Sequence, residues 1–204
     1  MTLYLDSASS EDALHAMAYG FIGGITTNPN LLRTQDRPPL EVIGDLARLT
    51  RGTVFYQLNS ETAAERVAEA RTALGVASNV GLKIPCTLDN LAIASELSRS
   101  CVVGMTAIFS AEQAYLAAQA GVAFILPYVN RSKRLRGQSP VPAMRQAVEG
   151  TPTEIIAASL KSGAEALEAL REGAHHLTLP LDVIRGMGHD DLTVAAIADF
   201  GGKT

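Results

Sequence analysis

The chain of 204 residues predicts an α/β fold built as a closed (β/α)8 barrel. Three observations lead there. Eight short apolar runs recur about every 25 residues, and stretches rich in Ala, Leu, Glu and Arg at helical spacing fill the gaps. That alternation calls for parallel strands joined by crossover helices. Almost every run ends in a polar side chain, as expected of a barrel whose chemistry gathers at the C-terminal ends of its strands. A doubly wound open sheet is the competitor, but it usually has five or six strands and a glycine-rich ligand loop. The sequence has no G-x-G-x-x-G and no P-loop. At 204 residues, against about 250 for a typical TIM barrel, this is a compact barrel with short loops.

The runs in order are LYLD (3–6), GITTN (24–28), TVFYQL (53–58), VGLKIP (80–85), CVVGMTAIF (101–109), FILPYV (124–129), EIIAASL (154–160) and HLTLPL (176–181). Most carry the Val, Ile, Leu, Phe, Tyr and Thr content of strands. Between them, SSEDALHAMAYG, LEVIGDLARLT, ETAAERVAEARTALG, LDNLAIASELSRS, SAEQAYLAAQAG and SGAEALEALREG read as helices. Gly20, Gly75, Gly121 and Gly173 each stand at a helix end. RSKRLRGQSP (131–140) reads as a charged loop after the sixth strand. No boundary or repeat divides the chain, so residues 1–204 form one barrel domain, with about 189–204 as a C-terminal helix and tail.

Composition narrows the function. The net charge is −4 and the 17 basic residues are scattered, which argues against a nucleic-acid face. No apolar run reaches 18 residues, and MTLYLDSASSED lacks the basic start of a signal peptide, so no membrane is expected and the cytoplasm is the default location. Cys86 and Cys101 read as two buried thiols in a reducing compartment. His15, His175, His176 and His189 have no ligand spacing, so no metal is expected; His175 and His176 fall at the stability end of the last strand.

Lys83 is the residue that needs explaining. The sequence has four lysines against thirteen arginines, and this one lies inside an apolar run. With a side-chain period of two, Val80, Leu82 and Ile84 face the helices, and Gly81, Lys83 and Pro85 face the barrel axis. The same alternation turns Asp6, Gln57, Thr106 and Ser159 inward, Ser159 sharing its face with Ala157. An ammonium there is costly, and desolvation lowers its pKa by up to 3–5 units. The resulting free lone pair is what a Schiff-base nucleophile needs. The alternative is an ion pair of Lys83 with Asp6 that serves only the fold, although buried pairs stabilise poorly. Asp182 reads equally well as a helix-start residue or a site residue.

LYLDS, GITTNPNLL, the LKIP strand, PYVNR, AASLK and TLPLDV, in this order from residue 3 to about 185, resemble the small transaldolase family. Gln57 and Tyr128 resemble its fructose-6-phosphate aldolase-like branch. The resemblance implies a class I aldolase that forms a Schiff base with a ketose phosphate such as fructose 6-phosphate. It cleaves C3–C4 to dihydroxyacetone and glyceraldehyde 3-phosphate, with no metal or cofactor. It implies Lys83 as the imine-forming lysine and Asp6 as the acid at the first strand. It places Gln57, Thr106 and Tyr128 around a catalytic water, with Tyr128 as acid/base. Thr26 and Asn28 would line the donor site, Arg131 and Ser159 would hold the phosphate, and Lys161 would add charge. It also implies a homo-oligomer, a pentamer or decamer. Transaldol transfer to an aldose phosphate is the alternative, and a phosphosugar-binding barrel without turnover is the second.

Overall fold

The computed structural model describes residues 1–201 and contains all eight expected strands. They are β1 (Leu3–Asp6), β2 (Ile22–Thr26), β3 (Thr53–Gln57), β4 (Val80–Pro85), β5 (Val103–Ile108), β6 (Phe124–Pro127), β7 (Glu154–Ala157) and β8 (His176–Leu179). They pair in parallel in sequence order, and β8 closes on β1. The helices are α1 (Ser10–Ala18), α2 (Pro29–Arg33), α3 (Pro39–Leu49), α4 (Ala63–Leu74), α5 (Leu88–Leu97), α6 (Ala111–Gln119), α7 (Val129–Arg136), α8 (Val141–Ala147), α9 (Gly163–Arg171), α10 (Leu181–Met187) and α11 (Asp191–Gly201). Residues 202–204, the end of the expected tail, lie outside the described residues.

Strand alternation creates two separate cores. The larger lies between strands and helices and includes Leu5, Ile25, Val54, Leu82, Ile84 and Ile125. The smaller fills the barrel itself with Tyr4, Phe55, Leu126, Ile156 and Ala158, flanked by Phe124 and Tyr128. Glycines make room for these inner rings. A Cβ on Gly24 would stand 2.8 Å from the Tyr4 ring, and one on Gly81 would stand 3.2 Å from Phe55. At the N-terminal end, His176 Nδ1 accepts from the Thr2 amide at 2.9 Å, so Nε2 carries the proton it shares with Glu154, also at 2.9 Å. His175 Nδ1 accepts from the Ile155 amide. Both histidines thus fasten strands at the end of the barrel away from the predicted site.

Four details differ from the sequence reading. Residues 131–136, read as loop, belong to α7, which ends at Gly137 in the left-handed region (φ 74°). Only Val129 and Ser132 of α7 are buried, so its apolar face is too thin to register as a periodic pattern. The strand parity of the seventh run is reversed: Ile156 and Ala158 face the axis and Ala157 faces the helices. Gly75 ends α4 in ordinary helical conformation (φ −72°), whereas Gly20, Gly121 and Gly173 take positive φ. Cys86 and Cys101 are free and only partly buried.

Candidate active site

At the C-terminal end of the barrel, Lys83 pairs in register with Gln57 on β3 and Gly104 on β5. It is buried, 4% exposed, and its Nζ donates to the Thr27 carbonyl at 2.7 Å. Burial pushes the ammonium down to a pKa of about 8, against a smaller opposing pull from the Asp6 charge. Asp6 ends β1. Burial pushes its carboxyl up, while the Lys83 charge, the Thr26 hydroxyl and Lys161 draw it back. Thr26 Oγ1 donates to Asp6 Oδ1 at 3.1 Å and lies 2.6 Å from Thr178 Oγ1. Among the described residues Lys83 forms no ion pair with Asp6. The two groups act on each other through space, so the fold-only ion pair is not what holds Lys83.

One cavity of about 350 Å³ gathers nine of the ten expected residues: Asp6, Thr26, Asn28, Gln57, Lys83, Tyr128, Arg131, Ser159 and Lys161. The tenth, Thr106, is fully buried and paired with Pro85 in the strand ladder, beside rather than on the cavity wall. Its Oγ1 and the Oε1 of Gln57 are buried without a hydrogen-bond partner. Such orphan oxygens are costly unless a ligand or water meets them. Asn28 starts α2, and its Oδ1 accepts from the Asn30 and Leu31 amides at 3.1 Å each, which leaves the carboxamide NH2 as the free donor.

The opposite wall is set by two bends. Ala107 takes a positive φ of 54° at a bulge where β5 shifts register against β6. Ser159 takes φ 60°, beyond the end of β7. This left-handed turn, not strand alternation, is what brings Ser159 beside Ala158 in the cavity wall. The Tyr128 ring is fixed by the Arg131 guanidinium, 4.9 Å from its centroid, and by Phe109 edge-on at 5.8 Å. Asp182 lies in the first turn of α10 and lines a neighbouring cleft, not this cavity.

Sequence reasoning missed Thr178, Arg33, Asn30 and Asn59, which also line the cavity. Thr178 shares the inward face of β8 with His176, a signal that was present in the alternation. Asn59 sits on a loop clamped by Glu69, whose carboxylate accepts from the Tyr56 hydroxyl at 2.8 Å and from the Asn59 and Ser60 amides at 3.0 Å. Burial and that carboxylate push the Tyr56 phenol up. No group of three or more His, Cys, Asp or Glu side chains able to hold a metal occurs among the described residues. Nor is any described helix long and apolar enough to cross a membrane.

A buried lysine of depressed pKa, a carboxylate within its field and several cationic and hydroxyl groups in one cavity suit carbonyl chemistry on an anionic substrate. The comparisons agree with that class. The fold is shared with a thiamine phosphate pyrophosphorylase from Pyrococcus furiosus, at a TM-score of 0.63 and 15% identity over 88% of this chain and 85% of that one. A relative from Desulforudis audaxviator named "Probable transaldolase" is 35% identical, covering 98% of this chain and 95% of its own length. Relatives of the same name from Symbiobacterium thermophilum and Methanococcus maripaludis are 33% and 34% identical over the same shares. The model of the transaldolase/fructose-6-phosphate aldolase family matches residues 3–201, and the chain is an enzyme belonging to that family.

Proposed function

We propose that this enzyme is a Schiff-base aldolase acting on a ketose phosphate such as fructose 6-phosphate. The observation that carries the reading is Lys83, buried in the cavity wall with its pKa lowered to about 8. At pH 7 roughly one lysine in ten would then be neutral, against fewer than about one in a thousand for an ordinary lysine. The neutral amine attacks the ketose C2 carbonyl. Loss of water gives the imine, with Gln57, Thr106 and Tyr128 handling the water and its protons. The orphaned Gln57 and Thr106 oxygens support that role. Asp6, whose carboxyl burial pushes up from the usual carboxylate range and which lies within the field of Lys83, takes the C4 hydroxyl proton. The C3–C4 bond breaks, its electrons pass into the protonated imine, and glyceraldehyde 3-phosphate leaves. Arg131, Ser159 and Lys161 hold the phosphate, while Thr26 and Asn28 bind the donor end. Because the protonated imine is the electron sink, the reaction needs no cofactor or metal.

The enamine then has two fates. Protonation and hydrolysis release dihydroxyacetone, and the Tyr128 phenol in the cavity favours this outcome. Capture by an aldose phosphate gives transaldol transfer, the activity in the names of the curated relatives. Supplying fructose 6-phosphate without an acceptor aldehyde separates them. Free dihydroxyacetone supports the aldolase, and products that form only with added acceptor support the transferase. Failure to turn over in either assay would leave a phosphosugar-binding barrel. The same reading takes the chain as a single-domain cytoplasmic homo-oligomer, a pentamer or decamer. In support, α11 exposes Leu192, Val194, Ile197 and Phe200.

A further inference from the structure

Glu165 lies outside the cavity wall and has no part in the chemistry above. It stands at the third position of α9, whose N-cap Ser162 accepts from the Glu165 amide at 3.2 Å. Ser-x-x-Glu at a helix start normally closes a reciprocal box, in which the Glu carboxylate takes the N-cap amide. Thr62 and Glu65 close that box on α4. Glu165 does not close it on α9. Its Oε2 reaches one residue further back and accepts from the Lys161 amide at 2.9 Å. Its Oε1 crosses to the segment after β6 and accepts from the Asn130 side-chain amide at 2.7 Å.

The two segments joined in this way carry the cationic wall of the cavity. Tyr128, Asn130 and Arg131 follow β6, and Ser159 and Lys161 follow β7. Tyr128 caps α7 without a side-chain bond. The first amides of α7 are met across the gap instead, Val129 donating to the Ala158 carbonyl at 2.9 Å and Asn130 to the Ser159 carbonyl at 3.3 Å. The second of these bonds is long, and its acceptor belongs to a residue at φ 60°. A non-glycine residue keeps that conformation only where its surroundings over-determine it. Glu165 supplies the constraint, because it holds Asn130 on one side of Ser159 and Lys161 on the other. The spacing of Arg131 from Ser159 and Lys161 thus depends on a side chain behind the wall. A guanidinium meets a phosphate through two parallel hydrogen bonds, a fit that a shift of about 1 Å would spoil.

We propose that Glu165 is a positioning residue for the phosphate end of the substrate: by tying Asn130 to Lys161 it sets the separation of Arg131 from Ser159. This rests on the Schiff-base reading of Lys83 and on the assignment of the phosphate to Arg131, Ser159 and Lys161. Lys83, Asp6 and Gln57 stand on β4, β1 and β3, on neither of the joined segments. Tyr128 is pinned separately, by a parallel bridge to Ala158. The tie therefore acts on phosphate binding and not on imine formation.

The test measures the concentrations of fructose 6-phosphate and of dihydroxyacetone that half-saturate inactivation by borohydride, beside thermal unfolding, in the full chain and in Glu165→Ala, Glu165→Gln and Asn130→Ala. Dihydroxyacetone forms the same imine but carries no phosphate. Glu165→Ala should raise the half-saturating fructose 6-phosphate about tenfold, the size of one lost hydrogen bond, and leave dihydroxyacetone within about twofold. Asn130→Ala cuts the tie from the other segment and leaves the α9 cap in place, so it should do the same. Glu165→Gln should keep most of the affinity, since its oxygen can accept from Lys161 and its NH2 can donate to a turned Asn130 carboxamide. Equal shifts for both compounds that track a loss of thermal stability would reduce Glu165 to a helix cap and overturn the proposal. So would an unmoved fructose 6-phosphate value in Glu165→Ala, or a Gln variant as weak as the Ala one. If neither compound inactivates the unaltered chain, the Schiff-base reading itself falls, a failure visible before any variant is compared.

Discussion

Lys83 Nζ donates to the main-chain carbonyl of Thr27 across 2.7 Å, a bond from the middle of β4 to the residue just past the end of β2. A carbonyl oxygen carries no full charge, so it orients the amine without stabilising the ammonium as a carboxylate in contact would. Asp6 supplies only a through-space pull that burial outweighs. The amine is aimed by backbone and kept easy to deprotonate.

Lys83→Met should end imine formation and raise stability at neutral pH. Between pH about 8 and 10.5 the unfolded chain holds a proton that folded Lys83 has lost, so wild-type stability climbs with pH through that window. Below it the full penalty applies, roughly 3 kcal/mol, less about 1 kcal/mol for the hydrogen bond to Thr27. Denaturant unfolding at pH 7 should show a gain of about 2 kcal/mol that shrinks as pH rises past 8. A variant less stable than wild type at pH 7 would contradict this.

Asp6→Asn should move the lysine titration. The Asp6 charge holds the Lys83 pKa up, so its removal lowers that pKa further. The pH profile of imine formation with dihydroxyacetone should inflect near 8 in wild type and at lower pH in the variant. An unmoved inflection would show that the carboxylate does not act on the amine.

Thr106→Val swaps a buried, unpartnered hydroxyl for a methyl of similar shape. If the hydroxyl served only the fold, the swap would be harmless to turnover. The account expects stability unchanged or up by about 1 kcal/mol, because an unsatisfied polar group is removed. It also expects imine formation to slow roughly a hundredfold, a typical contribution of proton handling. Stopped-flow kinetics beside thermal unfolding would read both.

Ser159→Gly and Ser159→Ala both remove the hydroxyl, but only glycine is at ease at φ 60°. Gly should leave stability within about 1 kcal/mol, as relief of strain offsets the added freedom of the unfolded chain. If the hydroxyl binds phosphate, both variants should raise KM for fructose 6-phosphate about tenfold over their effect on the unphosphorylated ketose. Equal effects on both substrates would place Ser159 in support of the fold alone.

The strands and most of the cavity were legible because alternation is local. Val80, Leu82 and Ile84 announce their face, and Lys83 follows from them. Tyr4 and Asp6, Phe55 and Gln57 behave likewise. What alternation cannot carry is a break in its own period. Left-handed Ala107 and Ser159 re-aim the chain with residues that give no glycine signal, so Ser159 arrived at the site by a route the sequence misread. The α7 helix hid because Arg131, Lys133, Arg134 and Arg136 dominate it, although its anchors are Val129 and Ser132. The Thr27 carbonyl was invisible because backbone atoms leave no mark in a sequence. Arg33 was passed over because its helix lasts five residues, too short for a periodic face.

The most direct measurement is borohydride reduction in the presence of dihydroxyacetone or its phosphate, followed by peptide mapping by mass spectrometry. The account predicts one reduced three-carbon adduct on the peptide containing Lys83, lost in Lys83→Met. An adduct on Lys161 instead, or none with either compound, would contradict it.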